Sequence, residues 1–457
     1  MEQVEQQEQA EQASSCSNRE RVEDPGPLVM KFGGTSVGSG QAFGRAAKTV
    51  ASEAATRPTA VVVSAMSGVT DTLLTYSEAT ETLDASGRTT TGSTLEGSLP
   101  ELHRSLYERH LMAAREAVAP ELLSGAEARI SQLLASLVLS LTSRHPCEAA
   151  RRAEVVVHGE RLSAVILAAA IASRGVPAEV ADDPIATDSA FSEAEVDVAE
   201  TRRRCAGRVE SVLRRRSVAV VPGFVGRDPD GLCTTLGRGG SDLSATVIGR
   251  GIGASEVWIL TDVTGVLDAD PRLVEGAATL SKMSYREAHL FAGMGAKVLH
   301  HRTMEPAADA NIAVYVKNSS EPHETGTLIS SRECGAGVRS VALKRDLAFT
   351  VDALEDAFCV LGCGGDGVRA LVEKDAGSSA EVAAIVGIGS PTDGDLLGGL
   401  RGLSEVGISH VWAGNTSAGV TFVVESEDAT HALRALHASL VGRASRVVEA
   451  DQVRVAV

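Results

Sequence analysis

Leu28-Val29-Met30-Lys31-Phe32-Gly33-Gly34-Thr35-Ser36-Val37 is the stretch on which the reading of this chain turns. An apolar run of strand character ends in a lysine, bends through two glycines and continues into small residues that read as a helix opening. Glycines let backbone N–H groups approach an anion with no Cβ in the way. A helix N-terminus adds unpaired donors and a positive partial charge. Lys31 adds a full charge, and the ensemble describes a phosphate cradle.

Lysine is scarce, which sharpens the point. The 457 residues hold 43 basic residues, and the lysines among them are Lys31, Lys48, Lys282, Lys297, Lys317, Lys344 and Lys374. Lys31 and Lys297 stand beside glycines at turns (Gly293-Met294-Gly295-Ala296-Lys297). A compact ammonium paired with phosphate as a point charge is a known use of lysine at such places, although a solvated lysine fits one turn taken alone.

The length allows two or three domains. A net charge of −17 speaks against a general nucleic-acid binder, which shows a basic footprint. No run of 18 apolar residues occurs, so no membrane span is expected. Residues 1–26 are rich in Glu and Gln without an apolar core; they read as a disordered tail, neither signal nor transit peptide. Seven cysteines with no C-x-x-C pair read as reduced thiols of a cytoplasmic protein.

From residue 28 to about 330, apolar runs alternate with helical patterns. Candidate strands are Val29–Phe32, Ala60–Ser64, Ala178–Ala181, Val218–Val221, Glu256–Leu260 and Ile312–Val316. Ile130, Leu133, Leu134, Leu137 and Leu141 paint one face of a helix, a core-facing stripe. Strands alternating with helices predict a parallel sheet covered on both sides, with ligands beyond the carboxyl ends of the strands. Residues 80–96 read as an exposed loop. A composition shift near Ser330–Val338 marks a domain junction. Beyond it, residues 382–451 read as a complete β-α-β-β-α-β unit: strands Val382–Gly387, Ile408–Trp412, Val420–Val424 and Val447–Ala450, helices Asp395–Val406 and Asp428–Leu440. Residues 338–381 hold strand-like pieces without a convincing helix and read as an abridged second unit.

Four further clusters carry chemistry. Val63-Ser64-Ala65-Met66-Ser67-Gly68-Val69-Thr70-Asp71 empties an apolar strand into hydroxyls, which alone are ordinary turn or cap residues. In His158-Gly159-Glu160-Arg161, Glu160 suits a ligand ammonium group or, as simply, a helix dipole. Thr235-Leu236-Gly237-Arg238-Gly239-Gly240-Ser241-Asp242, read as following a strand over Val218–Gly226, sets an arginine in a glycine turn, where its planar fork matches a carboxylate; Asp242 could hold Lys31 or a metal-bound phosphate. Ile259-Leu260-Thr261-Asp262-Val263 again ends a strand in polar residues, with Asp270-Pro271-Arg272 downstream.

The motifs at 31–37, 237–242 and 261–263, with Gly295-Ala296-Lys297-Val298-Leu299-His300 and Val316-Lys317-Asn318, resemble aspartate kinase over about residues 28–330; a similarity to ACT domains follows. The resemblance implies a three-layer αβα amino-acid-kinase domain with a mostly parallel sheet at 27–331 and a ferredoxin-like ACT region at 338–457. It implies that Lys31 with Phe32, Gly33 and Gly34 holds ATP. Ser64, Thr70 and Glu160 would contact aspartate, with Glu160 taking its ammonium group. Arg238, with Gly239, Gly240 and Ser241, would bind a substrate carboxylate, and Asp242 would organise the reacting groups. Thr261, Asp262, Leu267, Arg272, Lys297 and Val298 would line the nucleotide pocket. An aromatic residue is common where Leu267 stands, so nucleobase contacts are expected to be weaker or different; a proline is common where His301 stands, and neither departure removes a charged catalytic group.

The implied reaction makes 4-phospho-L-aspartate, the first step toward lysine, threonine and methionine. It needs no general base, because a carboxylate is already ionised at neutral pH. Mg²⁺ would be held through phosphates and water, with no protein metal cluster. The ACT region implies an amino-acid effector and a homodimer or larger homo-oligomer; its abridged first unit predicts altered or absent feedback inhibition, with the region serving mainly dimerisation. The alternatives are a non-catalytic regulatory subunit of the same fold and a sibling kinase for another small carboxylate.

Overall fold

The computed structural model describes residues 26–80, 95–294, 301–350, 359–364, 367–373, 382–416 and 419–441. Ten strands come first: β1 (Leu28–Phe32), β2 (Thr59–Val63), β3 (Ala178–Val180), β4 (Val218–Pro222), β5 (Val225–Arg227), β6 (Cys233–Thr235), β7 (Glu256–Thr261), β8 (Lys282–Ser284), β9 (Ala313–Asn318) and β10 (Thr327–Ser330). Eight of them form one sheet in the order β3-β4-β2-β1-β7-β9-β10-β8. From β3 to β9 every neighbour is parallel; β10 turns back antiparallel on β9. The six strands expected from the apolar runs are β1, β2, β3, β4, β7 and β9, so the mostly parallel sheet is as read.

Strand β1 shows why the sheet is covered on both faces. Successive side chains alternate. Leu28, Met30 and Phe32 enter one core with helices Gly40–Ala54, Pro120–Thr142 and His158–Ala172. Val29 enters the opposite core with helix Gly240–Ile252, and Lys31 shares that parity. All five residues of β1, β2 and β4 are buried, the apolar-run signature of central parallel strands. The chain leaves β1 for β2 on one side and reaches β7 on the other, so the topological switch lies at β1/β7.

Three local readings are corrected. The hydroxyls after Gly34 form a single 3₁₀ turn, Gly34–Val37; the α-helix starts at Gly40, where the Ser39 hydroxyl caps Ala42 N–H at 3.3 Å. The run Val218–Gly226 is not one strand. It breaks at Gly223-Phe224, with Phe224 at φ 67°, and the β5–β6 hairpin intervenes before the Gly237–Asp242 turn. Ile408–His410 lie outside the ladder, because Gly407 ends the preceding helix in the left-handed region and the strand proper is Trp412–Thr416. Residues 81–94, in the expected loop, and the expected strand Val447–Ala450 lie outside the described residues.

Two helical stretches, Pro120–Thr142 and Glu148–Ala172, are long and apolar enough on average to cross a membrane. The second breaks at Val157 and is mostly buried in this fold; the first packs Ile130, Leu134, Leu137 and Leu141 into the core, the stripe read from spacing.

The second sheet comprises β11 (Gly337–Thr350), β12 (Cys359–Gly364), β13 (Gly367–Glu373), β14 (Val382–Ser390), β15 (Trp412–Thr416) and β16 (Gly419–Glu425), antiparallel throughout in the order β12-β13-β11-β14-β16-β15. Helices Asp393–Glu405 and Ala429–Leu436 pack on it. The long strand β11 pairs with both β13 and β14, so the segment from 382 does not close on itself but takes β11 along its edge. The loop after β7 sits in this second core, through Ala269 and Val274.

Candidate active site

Parallel strands bring the ends of β1, β2, β4, β7 and β9 to one edge, and four of the motifs meet there. Lys31, one residue from the end of β1, is 8% exposed. Its Nζ lies 2.6 Å from Asp242 Oδ1, in the first turn of helix Gly240–Ile252. The diglycine bend follows. A Cβ on Gly33 would stand 3.5 Å from Lys31 Nζ, and one on Gly34 would stand 2.9 Å from Ala65 O. Backbone therefore passes backbone at Gly34, where a side chain could not fit.

The β2 end is tied to the same bend: Ser64 N–H donates to Phe32 O at 3.1 Å. Ala65 N–H donates to Glu160 Oε1 at 3.2 Å. Glu160 Oε2 is buried, with no hydrogen-bond partner among the described residues. Burial pushes this carboxyl up to about 8, against the ordinary 4.5; the Ala65 hydrogen bond only partly opposes it. A buried carboxyl with one bare oxygen fits a cationic ligand group, which would satisfy it. Thr70 sits half-buried in the first turn of helix Val69–Thr80.

The arginine turn joins through Gly223, where a Cβ would stand 2.9 Å from both Ser241 Oγ and Val62 Cγ1. Gly237 and Gly239 hold φ of 74° and 71°, the left-handed conformations that explain glycine on either side of Arg238. Arg238 is exposed, and among the described residues no ion pair engages it. Its guanidinium is thus available to an incoming anion.

On the other flank, Ser36 Oγ and Ser319 Oγ hydrogen-bond at 2.8 Å, Ser319 N–H donates to Thr261 O at 2.7 Å, and Thr261 Oγ1 donates to Asp262 Oδ1 at 3.1 Å. Beside them opens a cavity of about 150 Å³, lined by Phe32, Thr35, Ser36, Arg45, Asp262 and Asn318 among others. Phe32 supplies backbone to the bend, while its ring is wholly buried in the core. Leu267 is half-buried and bridges to Thr279. Arg272 is held by Asp270 in its own turn, not by any group of the Lys31–Asp242 cluster. Lys297 and Val298 lie outside the described residues.

Sequence reasoning passed over three features. Phe224, at positive φ, packs its ring where a Gly240 side chain would go, and its N–H is taken by Ser244 Oγ at 2.9 Å. Arg161 and Arg227 share Asp183 and Glu154 in a largely shielded network that reaches Cys233. Burial pushes the Cys233 thiol up to about 12, despite both guanidiniums. His158 is fully buried and burial lowers it to about 4, so it stands neutral, Nδ1 donating to Glu154 O at 2.8 Å. Among the described residues no cluster of His, Cys, Asp and Glu would hold a metal by itself.

Residues 26–318 match the model of the amino acid kinase family. The lysine-sensitive aspartokinase 3 of Escherichia coli K12 is 32% identical over 325 residues, covering 70% of this chain and 68% of that one. The crystal structure of E. coli aspartokinase III in complex with aspartate and ADP (R-state) superposes with a TM-score of 0.71 at 26% identity, over 90% of this chain and 99% of the other. The same enzyme in complex with lysine and aspartate (T-state) gives the same values.

Proposed function

The chain belongs to the amino acid kinase family and, within it, to the aspartokinases, and from that premise we infer how it works: it is an aspartate kinase, moving the γ-phosphoryl group of ATP onto the side-chain carboxylate of L-aspartate. One carboxylate oxygen bonds to the γ-phosphorus while the bond from that phosphorus to the β–γ bridging oxygen breaks; 4-phospho-L-aspartate and ADP leave. No proton is taken from the nucleophile, so no general base is required.

Positioning and charge neutralisation are what the residues must supply. Lys31, fixed by Asp242 and flanked by the diglycine bend, supports a role at the transferring phosphate. Glu160, with its bare buried oxygen, supports a role at the substrate ammonium group. Arg238, exposed and in no ion pair among the described residues, supports a role at a substrate carboxylate with Gly239, Gly240 and Ser241 of its own turn, and Ser64 and Thr70 would contact the substrate from the β2 side. Thr261 and Asp262 supply the nucleotide side, and the proposal keeps Leu267, Arg272, Lys297 and Val298 there. Asp242 and Asp262 offer hard carboxylate oxygens that, with the ATP phosphates and water, would hold Mg²⁺, whose charge would offset that of the phosphates. The single observation that carries the reading is the meeting of a shielded Lys31–Asp242 pair and an unsatisfied Glu160 around one bend.

The second sheet supports an effector and assembly role, which we propose as an amino-acid site and a homo-oligomer contact. The free thiols of Cys147, Cys205, Cys233 and Cys334 suit a reducing cytoplasm. A hydroxylamine trap with ATP, Mg²⁺ and a panel of amino acids tests the activity: aspartate alone should give hydroxamate, and a better signal from another carboxylate would replace it. Turnover with lysine and threonine, singly and together, tests regulation; strong inhibition by either would overturn the expectation of altered or absent feedback.

A further inference from the structure

We propose that Arg302 is a positioning residue that sets the arginine turn for its substrate; this rests on the aspartate-kinase reading of that turn. Arg302 is the second residue of helix His301–Asp309. Its Nη1 donates to Leu236 O at 3.1 Å and its Nη2 to Ala194 O at 3.0 Å, with Glu195 Oε1 3.2 Å away. One planar guanidinium thus gathers the carbonyls of two separate segments, a geometry that its fixed fork of donors suits.

The turn needs such an anchor. Gly237, Gly239 and Gly240 provide no side chains to pin it, and glycine is the residue that loses most freedom on ordering. What holds Arg238 must therefore come from outside the turn. Downstream, helix Gly240–Ile252 does this. Upstream, Leu236 is fixed at both backbone groups: its N–H donates to Phe224 O at 3.0 Å, and its carbonyl accepts from Arg302. The second carbonyl belongs to a segment laid along β6. Ala194 N–H donates to Thr235 O at 3.0 Å, Thr235 N–H to Phe191 O at 2.9 Å, and Glu193 Cγ stands 2.9 Å from where a Gly237 Cβ would be. Arg302 closes this ring on the turn.

The helix that carries Arg302 is itself well seated, with Thr303, Met304 and Ala307 buried. Through Arg302 this seated helix holds the carbonyl at the upstream end of the arginine turn. The ion pair to Glu195 contributes little to this, because Glu195 is 77% exposed.

The test is steady-state kinetics on the full chain carrying Arg302→Ala, Arg302→Lys or Glu195→Gln, with amide exchange over Leu236–Asp242. Loss of the charged hydrogen bonds should raise KM for aspartate roughly tenfold in Arg302→Ala, while KM for ATP stays within about twofold. Arg302→Lys, which can reach one carbonyl, should recover part of the loss, and Glu195→Gln should match the parent. Amides of the turn should exchange faster in Arg302→Ala. Unchanged KM for aspartate, equal rises for both substrates, or unchanged exchange would overturn the proposal. If Arg302→Ala does not fold, Arg302→Lys decides: a KM for aspartate at the parent value overturns it, a selective rise supports it. If the parent itself forms no aspartyl hydroxamate, the functional reading fails, whereas the exchange data still report whether Arg302 holds the turn.

Discussion

Lys31 Nζ and Asp242 Oδ1 stand 2.6 Å apart with their side chains only 10% and 16% exposed, so a mid-sheet cation and a helix-start anion neutralise each other at the strand ends. Shielding strengthens the attraction and also raises the cost of losing one partner. Lys31→Met should lower kcat by about 10² to 10³, the scale of removing one preorganised donor from a reacting oxyanion. It should also destabilise, because Asp242 is left uncompensated. Lys31→Met/Asp242→Asn should regain much of that stability and stay as inactive. Thermal unfolding alongside single-turnover assays checks both; near-parent turnover in either variant would remove Lys31 from the mechanism.

The role proposed for Glu160 would make aspartate binding a proton-linked event. Burial holds its carboxyl at about 8, so at pH 7 the free protein carries it mainly protonated. An ammonium group docking on the bare oxygen favours the carboxylate, and the proton leaves. Calorimetry at pH 7 in buffers of different ionisation enthalpy should show up to about one proton released per aspartate, and less well above pH 8. The same group bears on stability. Its folded value lies above the ordinary 4.5, so its contribution is full below that value and is lost as pH rises through about 8. Glu160→Gln should therefore abolish aspartate binding yet lose less stability than the parent between pH 5 and pH 8. Buffer-independent heats would contradict the linkage.

How much of this was legible in the sequence follows from the physics of each element. Strands β1, β2, β4 and β7 could be read because a strand buried on both faces must be an apolar run, and Leu28–Phe32 and Thr59–Val63 are buried throughout. Of the strands of three or four residues only β3 was read; β5, β6, β8 and β10 are too short to show a pattern of their own. Lys31, Glu160, Arg238 and Asp242 stood out because a charge among glycines or after a strand is locally unusual. Arg302 and Arg161 had no such signature: in an arginine-rich chain, only their partners from distant segments distinguish them. Phe224 illustrates the limit, since nothing in Pro222-Gly223-Phe224 marks an aromatic residue at φ 67°. The opening of the first helix was misplaced because Thr35 and Ser36 resemble caps, whereas Ser39 is the residue that caps.

Glycine 34 offers a test of the bend without touching a charge. A Cβ there would meet the Ala65 carbonyl at 2.9 Å, and backbone cannot swing aside. Gly34→Ala should lower kcat/KM by at least about tenfold, the effect expected of ångström-scale misplacement at a reacting centre. Gly125, inside helix Pro120–Thr142, has nothing within 4 Å of its virtual Cβ. Gly125→Ala should leave turnover unchanged and stabilise by about 0.5–1 kcal/mol. Equal kinetics for the two variants would show that close backbone approach at Gly34 is not needed.

Arg339 and Glu287 join the two sheets. Arg339, near the start of β11, places Nη2 2.8 Å from Glu287 Oε1 and 2.9 Å from Oε2, and its Nη1 donates to Lys282 O at 3.0 Å. Glu287 is 4% exposed and also caps its own helix, accepting from Ser284 N–H at 2.6 Å. Removing the guanidinium strands a buried carboxylate, whereas amidation of the carboxylate keeps most hydrogen bonds and removes the charge. Arg339→Met should therefore cost about 3–5 kcal/mol, and Arg339→Met/Glu287→Gln distinctly less than Arg339→Met alone. Helix Tyr285–Gly293 and Met294 just after it add apolar contacts, since Leu290, Phe291 and Met294 pack on Val386 and Ile388 of β14. Limited proteolysis of Arg339→Met should then cut first at the 331–336 connection between β10 and β11. A denaturation midpoint unmoved in Arg339→Met would mean that apolar packing alone fastens the second sheet to the first.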